Sequence, residues 1–235
     1  MASSIKDGNL TSVDTAFYKF ANKCYSDKLD VVFKGGCVLR HIFRSINKPR
    51  VRVTKDIDFD VSEDAYLEML DSYQEELRFG KLRDTLKVNV ILLKSSIDCD
   101  VQILEQINPN ICKVYSSPQG DFKGVVIEDM LADKIQSLSG DRIFGRAKDI
   151  ADIFNIAIEN KLDKDIKLLN EFLAKRTLGD FSSYRTMNAN MVNEVMEIVD
   201  NSNSVFSTVD AFVDGVLNYS VSKRWNGRIW ISSNA

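Results

Sequence analysis

The chain has 235 residues, 44% of them hydrophobic and 28% charged, with a formal net charge of -3 at neutral pH. That length and composition suit one large or two small globular domains with a real core, and they exclude a disordered chain. The slightly acidic balance also excludes a uniformly cationic nucleic-acid binder, so any polyanion site must be a local patch. The four cysteines (Cys24, Cys37, Cys99, Cys112) form no CxxC pair and there is one histidine, His41. Free thiols are therefore expected, and no structural zinc. The opening residues lack the basic and apolar succession of a leader, and no apolar run nears the roughly 18 residues that span a bilayer. The expectation is a soluble, cytoplasmic protein with no membrane partner.

In chain order, the spacing of Val13, Ala16, Phe17, Phe20, Ala21 and Cys24 predicts a helix over 12–25. Residues 30–33 predict a short strand running into Lys34-Gly35-Gly36, and a second helix follows over 37–46. The run DIDFDV at 56–61 alternates strictly and predicts a strand. Ser62 is placed to cap a helix over 63–78 that has Glu63 and Asp64 in its first turn. Residues 86–93 and 97–104 read as two strands of a hairpin turning at Lys94-Ser95-Ser96. Residues 108–122, with Pro109 and Pro118, read as loop. From Ile127 to about 220 the pattern is helical, which places a boundary near 125: an α/β domain over 1–125 and a helical domain over 126–235.

Three features carry chemistry. Alternation puts Asp56, Asp58 and Asp60 on one face of their strand, with i, i+2 neighbours roughly 6.5–7 Å apart. Like charges that close destabilise a fold unless a cation offsets them, and magnesium does so with oxygen ligands while keeping positions open for phosphate. The plain alternative is a solvated acidic edge strand. The paired glycines Gly35 and Gly36, between a strand and a helix start, let backbone amides approach a phosphate closely, although a simple turn has the same look. The spacing is not that of a Walker A loop. Lys134 falls on the apolar stripe of Ile127, Met130, Leu131, Ile135 and Leu138, where a lysine needs an anion or must snorkel to water. On the next helix, 142–158, wheel geometry sets Arg142, Arg146 and Asp149 along one flank of the apolar face. Lys148 and Asp152 are expected on the far side as an i, i+4 surface pair, which favours Asp149 over Asp152 for a site.

The stretches Phe33-Lys34-Gly35-Gly36-Cys37-Val38-Leu39-Arg40 and Arg52-Val53-Thr54-Lys55-Asp56-Ile57-Asp58-Phe59-Asp60 resemble the FKGG-TAL and R-x-S-x-D-hydrophobic-D pattern of the AbiEii/AbiGii-like nucleotidyltransferase toxins. Leu131-Ala132-Asp133-Lys134 and Arg146-Ala147-Lys148-Asp149-Ile150-Ala151-Asp152 are similar to that family's LA-x-K and R-x(1-2)-D-x-x-D segments. The motifs span about 33 to 152. Cys37 and Thr54 stand where the pattern has Thr or Ser and Ser.

The resemblance implies an α+β minimal nucleotidyltransferase fold, a mixed sheet flanked by helices, followed by an all-helical domain that brings Lys134 and Asp149 to the cleft. It implies Mg2+ (or Mn2+) on Asp56 and Asp58, and an NTP held by Gly35 and Gly36 with Lys34, Thr54 and Arg146 around it. Lys134 would contact phosphate or nucleotide, and Asp149 would be the late catalytic acid. A third carboxylate is expected on a neighbouring strand; Asp98 and Asp100 share one face there, and Asp100 is preferred because the strand continues beyond it. The implied activity moves an NMP from NTP to an acceptor hydroxyl on RNA (tRNA) or protein, as the toxin of a toxin–antitoxin or phage-defence system with a cognate antitoxin. Two other readings stand beside it: a nucleotide-binding regulatory module without transfer, and a small-molecule, antibiotic-type nucleotidyltransferase. Finally, the run 223–230 sets Lys223, Arg224 and Arg228 beside Trp225 and Trp230, either as a stacking platform for single-stranded RNA or as a terminal segment tucked against the helical domain.

Overall fold

Thr11 starts the first helix. Its hydroxyl accepts the Asp14 amide while the Asp14 carboxylate accepts the Thr11 amide, a capping box that satisfies two otherwise orphaned donors. The helix that follows, α1 (Ser12–Ser26), buries Phe17, Phe20, Ala21 and Cys24. The computed structural model describes residues 10–47, 52–83, 85–140, 147–181, 189–199, 204–220 and 222–232. It divides the chain into two units, residues 1–126 and 127–235.

The first unit is a seven-stranded mixed sheet with helices on it. Along the chain come β1 (Val31–Lys34), α2 (Gly35–Ser45), β2 (Ile57–Ser62), α3 (Glu63–Ser72), β3 (Leu77–Phe79), β4 (Lys87–Leu92), β5 (Ile97–Leu104), β6 (Cys112–Ser117) and β7 (Gly120–Val125). The sheet order is β3-β4-β5-β2-β1-β7-β6. β1 runs antiparallel to β2, while β2–β5 and β1–β7 are parallel. Ile57, Phe59 and Val61 are fully buried, as strict alternation demands, and Phe20 of α1 packs its ring on Phe33 and Phe59 at 5.7 and 5.6 Å. Aromatic pairs at such separations add to the area they bury. Ser62 does cap α3, accepting the Ala65 amide.

Three expectations fail here. The helix from 63 stops at Ser72, and Leu77–Phe79 pairs with β4 instead. Its apolar positions beyond Tyr73 serve a strand edge that nothing local announces. The supposed loop over 108–122 holds most of a hairpin, β6 with β7, turning between Ser117 and Gly120. Pro118 lies in that turn, where a missing N–H costs nothing, so the proline marks the hairpin tip rather than a structureless stretch. The β4–β5 turn also includes Leu93, with Ser96 at a φ of 52°.

Next to the sheet, His41 of α2 is buried among Tyr18, Tyr115 and Phe122, with Nδ1 3.1 Å from the Tyr18 hydroxyl. Burial first, then the Arg44 charge, push its pKa down to about 4. A depressed folded value means that the unfolded chain takes up the proton first. The stabilisation is therefore present above about pH 6.5 and is lost as pH falls toward 4. Denaturant midpoints measured from pH 7 to pH 4 should fall, and a His41→Asn variant should show a shallower fall over the same window.

The second unit packs α4 (Ile127–Leu138), α5 (Ala147–Ile158), α6 (Ile166–Ala174), α7 (Ala189–Ile198) and α8 (Val205–Leu217), and ends in a hairpin of β8 (Lys223–Trp225) and β9 (Trp230–Ser232). α5 touches α4, α7 and α8, so it is buried on several sides rather than one. Among the described residues no helix is long and apolar enough to cross a membrane. The architecture is α+β: a mixed sheet flanked by helices, then a largely helical unit.

Candidate functional site

The glycine turn and the acidic strand meet in space, and the backbone shows why glycine stands at both positions. Gly35 has a φ of 68°, a conformation that side chains with a Cβ rarely adopt. A Cβ there would also collide with the Asp58 carboxylate, and one at Gly36 would lie 2.7 Å from the Thr54 hydroxyl oxygen. Gly35 therefore closes directly over Asp58 and Gly36 over Thr54. No side chain caps the start of α2, whose first amides follow Lys34; uncapped amides at a helix start favour anions.

The acids differ from one another more than simple alternation suggests. Asp56 lies in the bend before β2, where the Thr54 hydroxyl donates to its Oδ1 at 2.7 Å. The Asp56 carbonyl accepts from the Cys37 thiol at 3.5 Å. Asp60 is buried and ion-paired with the Lys34 ammonium, so that carboxylate is offset from within the protein. Asp58 is half-buried, in register with Lys34 on one side and with Asp100 of β5 on the other. In neighbouring strands such partners lie about 4.7–4.9 Å apart and point the same way. Asp98 falls outside the β2–β5 ladder, which begins at Ile57 and Cys99. Cys37 is held protonated: burial raises its pKa well above the ordinary value, and the charges of Asp14, Asp58 and Asp56 push the same way.

A cavity of about 250 Å³ opens beside this pair, with Lys34, Asp58 and Asp100 on one side and Arg83, Lys87 and Asn89 on the other. Arg83 donates to the Asn89 amide oxygen at 2.8 Å. Sequence reading missed these last three. For Lys87 and Asn89 the signal was the alternation Lys87-Val88-Asn89-Val90, but only the β4–β5 register, Asn89 opposite Asp100, reveals that they share the acids' face; Arg83, ahead of β4, is tied there by its bond to Asn89.

Among the described residues, no group of three or more His, Cys, Asp or Glu side chains converges to hold a metal ion. Asp58 and Asp100, in register beside an open cavity, still fit a hard cation that takes its remaining oxygens from phosphate and water, which is how magnesium is commonly held.

In the second unit, Lys134 is buried on α4, and its ammonium donates to Asp152 at 2.6 Å and to Asp149 at 3.2 Å. Asp152 is 1% exposed. The surface pairing expected between Lys148 and Asp152 is therefore wrong. Asp149 and Asp152 are i, i+3 neighbours on one side of α5, and that side is covered because α5 is central to its unit. Arg146 and Arg142 lie outside the described residues.

The C-terminal tryptophans belong to the helical unit. Trp225 donates its indole N–H to the Ala157 carbonyl at 2.8 Å, and Trp230 donates to that of Ala211 at 2.9 Å. Both rings pack on Phe212, and Trp230 lies against Gly215. Their role as a free stacking platform is set aside, because the indoles are already committed to the unit's own backbone and rings.

No protein-family model matches the chain, and no curated protein does. Among solved structures, it is similar to an antigenic nucleotidyltransferase-like protein from Paracoccidioides brasiliensis (14% identity, TM-score 0.48, 85% of this chain and 93% of that one). It is also similar to the nucleotidyltransferase toxin MenT4 from Mycobacterium tuberculosis (15%, 0.46, 87% and 86%). A third is the CCA-adding enzyme of Thermotoga maritima in complex with tRNA (13%, 0.42, 93% and 56%).

Proposed function

We propose that this chain is a divalent-cation-dependent nucleotidyltransferase that moves an NMP from an NTP to an acceptor hydroxyl. One observation carries the reading: within a single unit, the Gly35-Gly36 turn abuts Asp58, and Asp58 stands in register with Asp100 beside an open cavity. A phosphate-binding turn and a pair of carboxylates at that spacing suit a triphosphate whose charge is shared between backbone amides and a cation.

In this reading the amides at Gly35 and Gly36 hold the triphosphate, with the Lys34 ammonium nearby. Thr54 fixes the orientation of Asp56, and Asp58 and Asp100, with Asp56, present the oxygen donors. A bound Mg2+ or Mn2+ would offset phosphate charge and align attacking and leaving oxygens. The acceptor oxygen bonds to the α-phosphorus, the bond to the bridging oxygen of the β-phosphate breaks, pyrophosphate leaves, and the hydroxyl proton passes to a carboxylate or to water. The family resemblance extends the proposal to an RNA or protein acceptor and to a toxin held by a cognate antitoxin.

The test is a panel of the four α-labelled NTPs with Mg2+, total RNA and the protein itself as acceptors. Label entering RNA or protein, and lost with EDTA, is the expected result. Nucleotide binding without transfer to any acceptor would instead leave a regulatory module, and label appearing only in small molecules would point to an antibiotic-type enzyme.

A further inference from the structure

A second cavity, of about 470 Å³, lies on the opposite face of the sheet from the acids. One wall is a single stripe of α1: Ser12, Thr15, Ala16, Lys19, Phe20 and Lys23 follow one another at i, i+3, i+4, i+7, i+8 and i+11. Eleven steps at 1.5 Å make a slot about 16 Å long. The other wall is the tip of the β4–β5 hairpin, with Leu92, Lys94 and Ser95. Leu92 and Phe20 both belong to the buried side of the sheet: Leu92 pairs with Ile97, and Phe20 rests on Phe33 and Phe59. The slot is thus floored by Ala16, Phe20 and Leu92.

Its rim is cationic. Glu76 lies 3.9 Å from the Lys23 ammonium, which also bonds Asp27 at 3.0 Å and sits over the Tyr73 ring. Lys19 and Lys94, both exposed, form no ion pair among the described residues. An apolar floor under a rim with two uncommitted ammonium groups suits a molecule with an apolar body and an anionic end. The volume falls within the roughly 300–1,000 Å³ of small-molecule sites.

We propose that this slot binds an amphipathic anion, a medium-length aliphatic chain ending in a carboxylate. The chain lies along Ala16, Phe20 and Leu92, and the carboxylate is held between Lys19 and Lys94. The inference does not rest on the proposed transfer activity, since the slot and the acids use different faces of the sheet.

Calorimetric titration of the full chain with octanoate, decanoate and dodecanoate tests it, with decyltrimethylammonium as the cation of matched chain. Saturable one-to-one binding of decanoate is expected, at least tenfold tighter than binding of the cation. The double substitution Lys19→Glu/Lys94→Glu should weaken decanoate at least tenfold, and Ala16→Trp should block the slot. Ala16→Leu serves the same purpose if far-UV circular dichroism shows that the tryptophan variant does not fold. No saturable binding of any of the three acids overturns the proposal. Equal binding of anion and cation overturns it too, as does full affinity in the folded Lys19→Glu/Lys94→Glu variant.

Discussion

Asp58→Asn should lower nucleotide transfer by at least about 10²–10³-fold, the loss typical of removing one preorganised electrostatic contact at a reacting centre. Asparagine keeps the shape that fits against Gly35, so the turn should not rearrange. What changes is charge: of the two carboxylates in register, one becomes neutral and the pair no longer offers a cation two anionic oxygen donors. The residual activity should need a higher magnesium concentration for half-saturation than the wild type does. Stability should hold or rise, because like charges directly opposite one another on neighbouring strands destabilise a sheet. Transfer rates and thermal midpoints measured on the same preparation separate these effects. Wild-type turnover in Asp58→Asn, at an unchanged magnesium requirement, would remove the acid pair from the mechanism.

The parts of this site that are local in sequence were legible in it. The alternation of DIDFDV gave the buried side correctly because Ile57, Phe59 and Val61 must all face the core, and a slip of one residue would have exposed them. The glycine turn was legible because a strand running into paired glycines and then a helical stripe is a short-range pattern. What escaped depends on pairings between distant residues. That Asp60 is offset by Lys34, 26 residues away, follows only from the antiparallel register of β1 and β2. Arg83, Lys87 and Asn89 come to the cavity only because β4 pairs with β5. The hairpin of β6 and β7 was missed because its proline and glycines look like loop punctuation until one sees Phe122 buried and Tyr115 stacked on it. On α5 the error was one of environment. A helical wheel assumes a single buried face, and a helix packed against three others has none that is reliably wet.

Lys134→Ala should destabilise the second unit by about 3–5 kcal/mol, the usual cost of removing one partner from a buried ion pair. The ammonium is bonded to Asp152 at 2.6 Å and to Asp149 at 3.2 Å, and the side chain of Asp152 is 1% exposed against 10% for Lys134. Without the lysine, Asp152 keeps its burial and loses the ammonium that donates to it at 2.6 Å, and that loss is the source of the penalty. Lys134→Met should cost nearly as much, since the methylene stem packs as before while the charge is gone. Adding Asp152→Leu to Lys134→Met should recover much of the loss, because replacing both members of a buried pair with apolar groups is often close to neutral. Thermal and urea midpoints of Lys134→Met, the single Asp152→Leu and the double variant give the coupling directly. Transfer kinetics on the same proteins decide what else the lysine does. If the Lys134→Met/Asp152→Leu protein regains stability and also transfers nucleotide normally, the lysine is there to hold α4 to α5. If it regains stability but its KM for NTP is raised, consistent with a lost charged hydrogen bond worth about 1.5–3 kcal/mol, the lysine also meets the nucleotide. Unchanged midpoints in Lys134→Ala would show instead that the buried pair contributes nothing to the unit.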